Sequence, residues 1–234
     1  DLGAEDAMTL LLKEAVKPNV VQTNEGVLAF VHAGPFANIA HGCNSVLATQ
    51  MALKLADYTI TEAGFGADLG MEKFLDLKVP VLGKHPDVVV LVATLRALKM
   101  HGVLGDQKTE SEALKEGFLH LQKHVENIKK FKLPFVIALN HFDNDTESET
   151  HMLLEWAKKN AYPIELSKGF LEGGKGVTAL AKRVISIVEE KADFQSIYEL
   201  SLDVEAKIRC ITQKIYGGKD VRFSQKAQRQ LEEI

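Results

Sequence analysis

Two glycine-rich stretches carry the residue types that cradle phosphate. Gly169-Phe170-Leu171-Glu172-Gly173-Gly174-Lys175-Gly176 fits the phosphate-loop pattern at seven of its eight positions. In such a loop backbone N–H groups surround the phosphates, the Lys reaches them, and a closing Ser or Thr hydroxyl binds Mg²⁺. Gly176 stands in place of that hydroxyl, so the glycines read instead as a turn or as a place where a ligand approaches the backbone. Gly64-Phe65-Gly66-Ala67-Asp68-Leu69-Gly70 is expected to follow a strand and open a helix, where Gly permits positive φ and N–H groups meet an anion. It departs from the dinucleotide fingerprint because its third Gly arrives one residue late. A tight strand–helix turn is the competing reading.

Asn140-His141-Phe142-Asp143 resembles a guanine-reading loop, but His141 occupies the place of its Lys, and the phosphate-loop-like stretch follows this segment instead of preceding it. His120 and His124 have the four-residue helical spacing of a metal pair. No H-E-x-x-H arrangement joins them, and surface histidines are the simpler reading. Asp143 and Asp145 suit loop chemistry ahead of a helix cap at Thr146. Cys43 has no evident base beside it. Gly34 to Ser45 is the least ordinary segment: Asn38, His41, Asn44 and Ser45 fall where a buried helix should begin. Buried polar groups without partners cost about 1–3 kcal/mol each, so the segment reads as a functional cleft or a polar subunit interface.

These groups need a scaffold, and the pattern supplies one. Apolar runs at Val27–His32, Tyr58–Thr61, Val88–Thr94, Phe135–Leu139 and, more weakly, Tyr162–Leu166 alternate with helical stretches. The latter are Ala37–Ala56, Glu110–Phe131, Thr146–Asn160, Val177–Lys191 and Ser196–Tyr216. That alternation predicts an α/β fold, a mostly parallel sheet with flanking helices. Val88–Thr94 is apolar on both faces, as a covered central strand would be. Thr146 and Glu149 form a capping-box pair, and Tyr216-Gly217-Gly218 a helix stop. The charged stretch Lys123–Lys132 is a candidate domain seam; the alternative is one sheet for all five runs.

The chain has 234 residues and a net charge of −4, with 46% hydrophobic and 26% charged residues. This is a globular composition. A mildly acidic balance without a Lys/Arg cluster gives no reason to expect nucleic acid. No apolar run approaches the roughly 20 residues of a membrane span. Two cysteines suit a reducing cytosol better than a disulfide scaffold. The chain opens on Asp1 without a signal region and closes inside a helical pattern, Ser224–Ile234, so both ends read as cut.

Three long stretches, Gly34–Ser45, Thr61–Gly70 and Val92–Gly102, resemble formate–tetrahydrofolate ligase, in the same order and over nearly the whole chain. The resemblance implies ATP-dependent joining of formate to tetrahydrofolate through formyl phosphate, giving 10-formyltetrahydrofolate. ATP, Mg²⁺ and a monovalent cation (K⁺ or NH₄⁺) are then the expected cofactors. A cytoplasmic, tetrameric assembly without nucleic acid or membrane partners is expected too. It implies that residues 1–123 are the later half of a nucleotide domain resembling phosphate-loop NTPases. Residues 124–222 would be a smaller α/β second domain contributing the folate pocket, and 223–234 the start of a connection to a third. The family's phosphate loop, with its catalytic Lys, would lie before this chain, which alone would then not turn over.

By the same resemblance Phe65 and Gly66 match one wall of the folate pocket, Phe142 an aromatic wall and Leu166 an apolar neighbour. Phe170 stands where relatives often carry Trp, the stacking face for the pterin, and Asp143 where some carry Pro. Phe for Trp keeps a stacking face but loses area and the indole donor. Asp143 would be costly if buried alone, unless it accepts hydrogen bonds from the pterin amines. Val103 replaces a second Gly and Lys175 a frequent Glu. Gly64, Gly66 and Arg96 are the candidate phosphate or formyl contacts. Arg96 follows a strand at the end where open parallel sheets bind ligands; pairing with a local carboxylate is its plainer reading. The alternative for the whole chain is a non-catalytic folate- or nucleotide-binding or subunit-assembly module.

Overall fold

Branched residues gather in the short strands and straight-chain residues in the helices, and a computed structural model shows how they assemble. It describes residues 3–34, 36, 38–102 and 109–233. Pro35, Ala37 and Val103 lie outside the described residues. The chain divides into two compact units, Asp1–His85 and Pro86–Ile234.

In the first unit, helix α1 (Glu5–Leu12) precedes strands β1 (Asn19–Gln22) and β2 (Leu28–Val31), which form an antiparallel hairpin. The run Val27–His32 therefore joins a small antiparallel pair and not the parallel sheet expected of it. Helix α2 runs only from Val46 to Leu55, and residues 38–45 of the expected span are not helical. The polar residues before it explain the late start. Asn44 gives its side-chain amide to the Phe30 carbonyl at 2.8 Å and accepts the Ser45 N–H at 2.8 Å, while the Ser45 hydroxyl caps Ala48 N at 3.0 Å. Such side chains offer the backbone alternatives to a helix and then start one.

Tyr58–Thr61 forms no strand. Ile60 is 95% exposed, and the following chain makes only an isolated antiparallel bridge, Cys43 with Ala63. An apolar run needs a pairing partner as well as hydrophobicity, and none of the described residues offers one. The next helix is composite: α3 (Gly70–Lys73), a π-helical turn over Phe74–Lys78, then α4 (Val79–Leu82) ending at Gly83 in the left-handed region.

In the second unit, β3 (Val89–Ala93), β4 (Phe135–Asn140) and β5 (Ile164–Ser167) form a parallel sheet in the order β3-β4-β5. Consecutive strand residues face opposite sides, and all of Phe135–Leu139 is buried. The strand covered on both faces is thus β4. Among the described residues β3 is an edge strand, with Val90 and Val92 39% and 63% exposed. Apolarity on both faces did not distinguish the two.

Two helices, α5 (Leu95–Gly102) and α6 (Glu110–Lys130), connect β3 to β4. They approach through glycines: a Cβ on Gly117 would stand 2.1 Å from the Leu98 carbonyl oxygen, and one on Gly102 1.7 Å from that of Ala113. Helix α7 (Glu147–Lys159), with the expected Thr146–Glu149 capping box, connects β4 to β5. Trp156 on α7 stacks on Phe118 of α6 at 5.1 Å and meets Tyr162 edge-on at 5.5 Å, sealing the core beside β4. After β5 come the one-turn helix α8 (Gly169–Glu172), a 3₁₀ turn over Gly173–Val177, and α9 (Thr178–Val188). Helix α9 packs on β4 and β5. The stretch Ser196–Tyr216 becomes helical only at α10 (Val204–Lys214), where the Asp203 carboxylate caps Ala206 N at 2.7 Å. Helix α11 (Gln225–Glu232) follows.

Candidate functional site

Because β3, β4 and β5 are parallel, their carboxyl ends lie at one end of the second unit's sheet, where ligands bind in open α/β sheets. The segments leaving that end carry Arg96, His141 to Asp145, and Lys168 to Phe170.

At β3 the Thr94 hydroxyl caps Ala97 N at 3.1 Å and starts α5, placing Arg96 in the first helical turn. Arg96 is exposed and, among the described residues, has no ion-pair partner. One turn further on, Lys99 makes two carboxylate contacts. Lys99 Nζ reaches Glu149 Oε1 at 2.8 Å and Glu110 Oε2 at 3.0 Å. Glu149 is the capping-box residue of α7 and is 7% exposed. One cation thus ties together the helices that follow β3 and β4. The hydrogen bond from Lys99 is the main cause holding the Glu149 carboxyl below its usual range, and burial opposes it.

At β4, His141 N donates to Ser167 O at 2.9 Å and extends the β4–β5 pairing by a residue. The chain then turns around Asp145, which accepts the Phe142 N–H on Oδ2 at 2.9 Å and returns its own N–H to the Phe142 carbonyl at 3.0 Å. His141 Nδ1 lies 3.5 Å from the same Oδ2. The Asp145 side chain is only 6% exposed. Asp143 is exposed, so its carboxylate carries no burial cost and is available to a ligand.

At β5, Leu166 lies opposite Leu139 and is half-buried. Lys168 N donates to Gly176 O at 3.0 Å, closing the glycine-rich stretch on itself. A Cβ on Gly176 would stand 2.5 Å from the Lys168 carbonyl oxygen, and one on Gly169 2.9 Å from a Val177 methyl. These glycines serve close packing, and the loop forms α8 and a 3₁₀ turn, in keeping with a turn reading. Its effect is to present Phe170, 76% exposed, with its ring 5.9 Å from that of Phe142 at 50°. Two tilted aromatic rings at the sheet's carboxyl end, one largely exposed, provide faces for a planar heterocycle.

In the first unit Gly64 N donates to Gly42 O at 2.7 Å, and the Gly66 carbonyl accepts from both Leu69 N and Gly70 N at 3.1 and 3.0 Å. A Cβ on Gly70 would fall 1.6 Å from the Gly64 carbonyl oxygen. Phe65, between the candidate anion contacts Gly64 and Gly66, has φ +63° and is 71% exposed. A bulky residue held in that region outside a helix stores strain, a feature that gathers at ligand-binding sites.

The composite helix beyond it buries charges that the sequence did not announce. Glu72, Asp76 and Lys78 are 6%, 2% and 3% exposed. Lys78 Nζ donates to Thr49 Oγ1 at 2.8 Å and lies 4.9 Å from the Phe74 ring centre. Burial lowers the pKa of Lys78 and raises that of the Cys43 thiol, each shift being opposed by the other group. Burial likewise raises Glu72, against its hydrogen bond with Asp76. Only the π-helical turn hints at this cluster, and such a turn has no signature in a single sequence.

Among the described residues no three His, Cys, Asp or Glu side chains gather as a metal site. His120 stacks instead on His101, ring centres 4.6 Å apart. Mg²⁺ carried by a nucleotide needs only one or two carboxylates beside its phosphates. Among the described residues no helix is long and apolar enough to cross a membrane. Compared with known protein families, residues 1–234 match the family model described as formate–tetrahydrofolate ligase.

Proposed function

Since this chain belongs to the formate–tetrahydrofolate ligase family, we propose that it acts in the ATP-dependent joining of formate to tetrahydrofolate and that its second unit binds the pterin. The tilted pair Phe142–Phe170 at the carboxyl end of the parallel strands carries this reading. The pterin stacks on Phe170, with Phe142 as the second aromatic wall and Leu166 as the apolar floor. Asp143, exposed beside them, accepts hydrogen bonds from the pterin's amino and ring N–H groups. Burial of the exposed Phe170 ring on binding supplies hydrophobic free energy at about 25 cal/mol per Å².

In the reaction proposed, the terminal phosphoryl of ATP passes to a formate oxygen and leaves ADP. N10 of the folate then attacks the carbon of the resulting formyl phosphate, expels inorganic phosphate and loses its proton. The protein's part in such a transfer is positioning and charge stabilisation. Arg96, an exposed guanidinium at the same end of the sheet as the aromatic pair and without an ion-pair partner among the described residues, is proposed to meet the anionic formyl or phosphoryl group. Phe65 and Gly66 of the first unit carry a folate assignment from the resemblance, with Gly64 and Gly66 as phosphate contacts. Mg²⁺ and a monovalent cation accompany the nucleotide in this proposal, which also includes a homo-oligomer in the cytoplasm.

Thermal unfolding of the chain with and without tetrahydrofolate tests the reading. A ligand present at 100 times its dissociation constant stabilises by about 2.7 kcal/mol, and a rise in melting temperature saturating with folate is expected. No shift at millimolar folate rejects the pterin site.

A further inference from the structure

Apart from the folate chemistry, the first unit holds a hydrogen-bonded chain of nucleophile, base and orienting group. His32 Nε2 lies 2.8 Å from the Ala15 carbonyl oxygen, and His32 Nδ1 lies 2.7 Å from Ser45 Oγ. A carbonyl only accepts, so in this geometry Nε2 carries the proton. In the neutral ring Nδ1 is then the free base, and the Ser45 hydroxyl donates to it. The main-chain carbonyl fixes the tautomer, the part a carboxylate plays in a catalytic triad.

The surroundings suit an activated hydroxyl. Ser45 is the N-cap of α2, a helix of 10 residues, and its Oγ also accepts the Ala48 N–H at 3.0 Å. Positive charge at a helix start favours the alkoxide over the hydroxyl. Asn44 anchors the same turn through the Ser45 N–H and the Phe30 carbonyl. The first amides of the helix, those of Val46 and Leu47, precede any intrahelical partner. Among the described residues neither has an acceptor. His32 and Ser45 are both half-buried.

We propose that Ser45 is a nucleophile activated by His32, and that this unit accepts acyl groups from small activated esters. Ser45 Oγ attacks the acyl carbon as its proton passes to His32 Nδ1, and a C–O bond forms. The tetrahedral oxyanion, held by the Val46 and Leu47 amides, collapses with cleavage of the bond to the leaving alcohol, which takes the proton from His32. Water, giving a proton to the same Nδ1, then attacks the acyl-serine. The bond from the acyl carbon to Ser45 Oγ breaks, the acid leaves, and Oγ takes the proton back from His32. This is the logic of nucleophilic catalysis assisted by a general base.

The test is covalent labelling of the full chain with a fluorophosphonate, in which Ser45 Oγ displaces fluoride from phosphorus, read by intact mass and peptide mapping. One adduct on Ser45 is expected. Ser45→Asn keeps a good N-cap but has no hydroxyl, and should give none. His32→Gln keeps an acceptor for Ser45 and a donor for Ala15 but no base, and labelling should slow about 100-fold. Melting temperatures near that of the parent would show that both variants fold. No adduct on the parent, an adduct elsewhere, or an unchanged rate in His32→Gln overturns the proposal. Should either variant fail to fold, p-nitrophenyl acetate with the parent chain decides. Burst release followed by trapped acetyl-Ser45 is expected, and absence of acetyl-Ser45 overturns the proposal.

Discussion

Asp145 holds the main chain of Phe142 by two hydrogen bonds, carboxylate to N–H at 2.9 Å and N–H to carbonyl at 3.0 Å. The orientation of the Phe142 ring toward Phe170 therefore rests on a carboxylate with a 6% exposed side chain. Asp145→Ala leaves a sequestered N–H without its acceptor, a cost of about 1–3 kcal/mol. We expect this variant to lower the melting temperature and to weaken tetrahydrofolate binding about tenfold, whereas Asp145→Asn, which keeps an acceptor oxygen, loses less of both. Paired denaturation curves and folate titrations check the order.

Lys99 and Glu149 give a pH-dependent tie between α5 and α7. The folded-state pKa of Glu149 is depressed below its ordinary value of 4.5, first by the hydrogen bond from Lys99. The unfolded chain therefore binds the proton more readily. The stabilisation is fully present above the unfolded pKa and is lost as pH falls through the folded one. Lys99 is raised from 10.5, and its own contribution disappears only in more alkaline solution. Glu149→Gln should cost about 1–3 kcal/mol at pH 7, and the difference from the parent should shrink as pH falls below about 4. Urea unfolding at a series of pH values measures it.

Much of this scaffold was legible beforehand. Thr146 and Glu149 announced the start of α7, and Glu110–Phe131 was bounded almost as found, because capping and 3.6-residue periodicity are local properties. The roles of β3 and β4 were not legible. Val88–Thr94 is as apolar as a covered strand, but being central depends on which strands pair. Tyr58–Thr61 failed for the same reason. At the site, Phe142, Leu166 and Phe170 were picked out by resemblance, and the structure brings the two rings together. The Lys99–Glu149 tie and the His32–Ser45 bond join residues far apart in the chain, and no spacing rule reaches that distance.

The glycines of α5 and α6 are expected to be intolerant of even one methyl group. Gly117→Ala would place Cβ 2.1 Å from a main-chain oxygen of Leu98, which cannot rotate away. Overpacking of this kind costs about 1–3 kcal/mol or more, far beyond the slight gain in helix propensity from Ala. Gly26→Ala makes a contrasting control, because its Cβ would meet only a side-chain atom of Gln22 at 3.7 Å while its φ of +81° alone supplies strain. Thermal unfolding should rank Gly117→Ala as the more damaging.

Cys43 should be a poor nucleophile in the folded chain. It is 2% exposed, and burial raises its thiol pKa more than Lys78 lowers it. A thiol reagent at pH 7 should modify Cys43 only through unfolding, so its rate should rise steeply with urea and converge on that of a free cysteine. Rapid modification of the native protein at Cys43, located by peptide mapping, would contradict this environment.

The pterin site is tested most directly by an equilibrium titration of tetrahydrofolate against the parent chain and Phe170→Ala. Phe170 is 76% exposed, so its truncation should leave the melting temperature almost unchanged while removing a stacking face worth about 1–2 kcal/mol. The account predicts saturable one-to-one binding by the parent and affinity about 5- to 30-fold weaker in Phe170→Ala, with Phe170→Trp binding at least as tightly as the parent. Equal affinity in the parent and Phe170→Ala would contradict it.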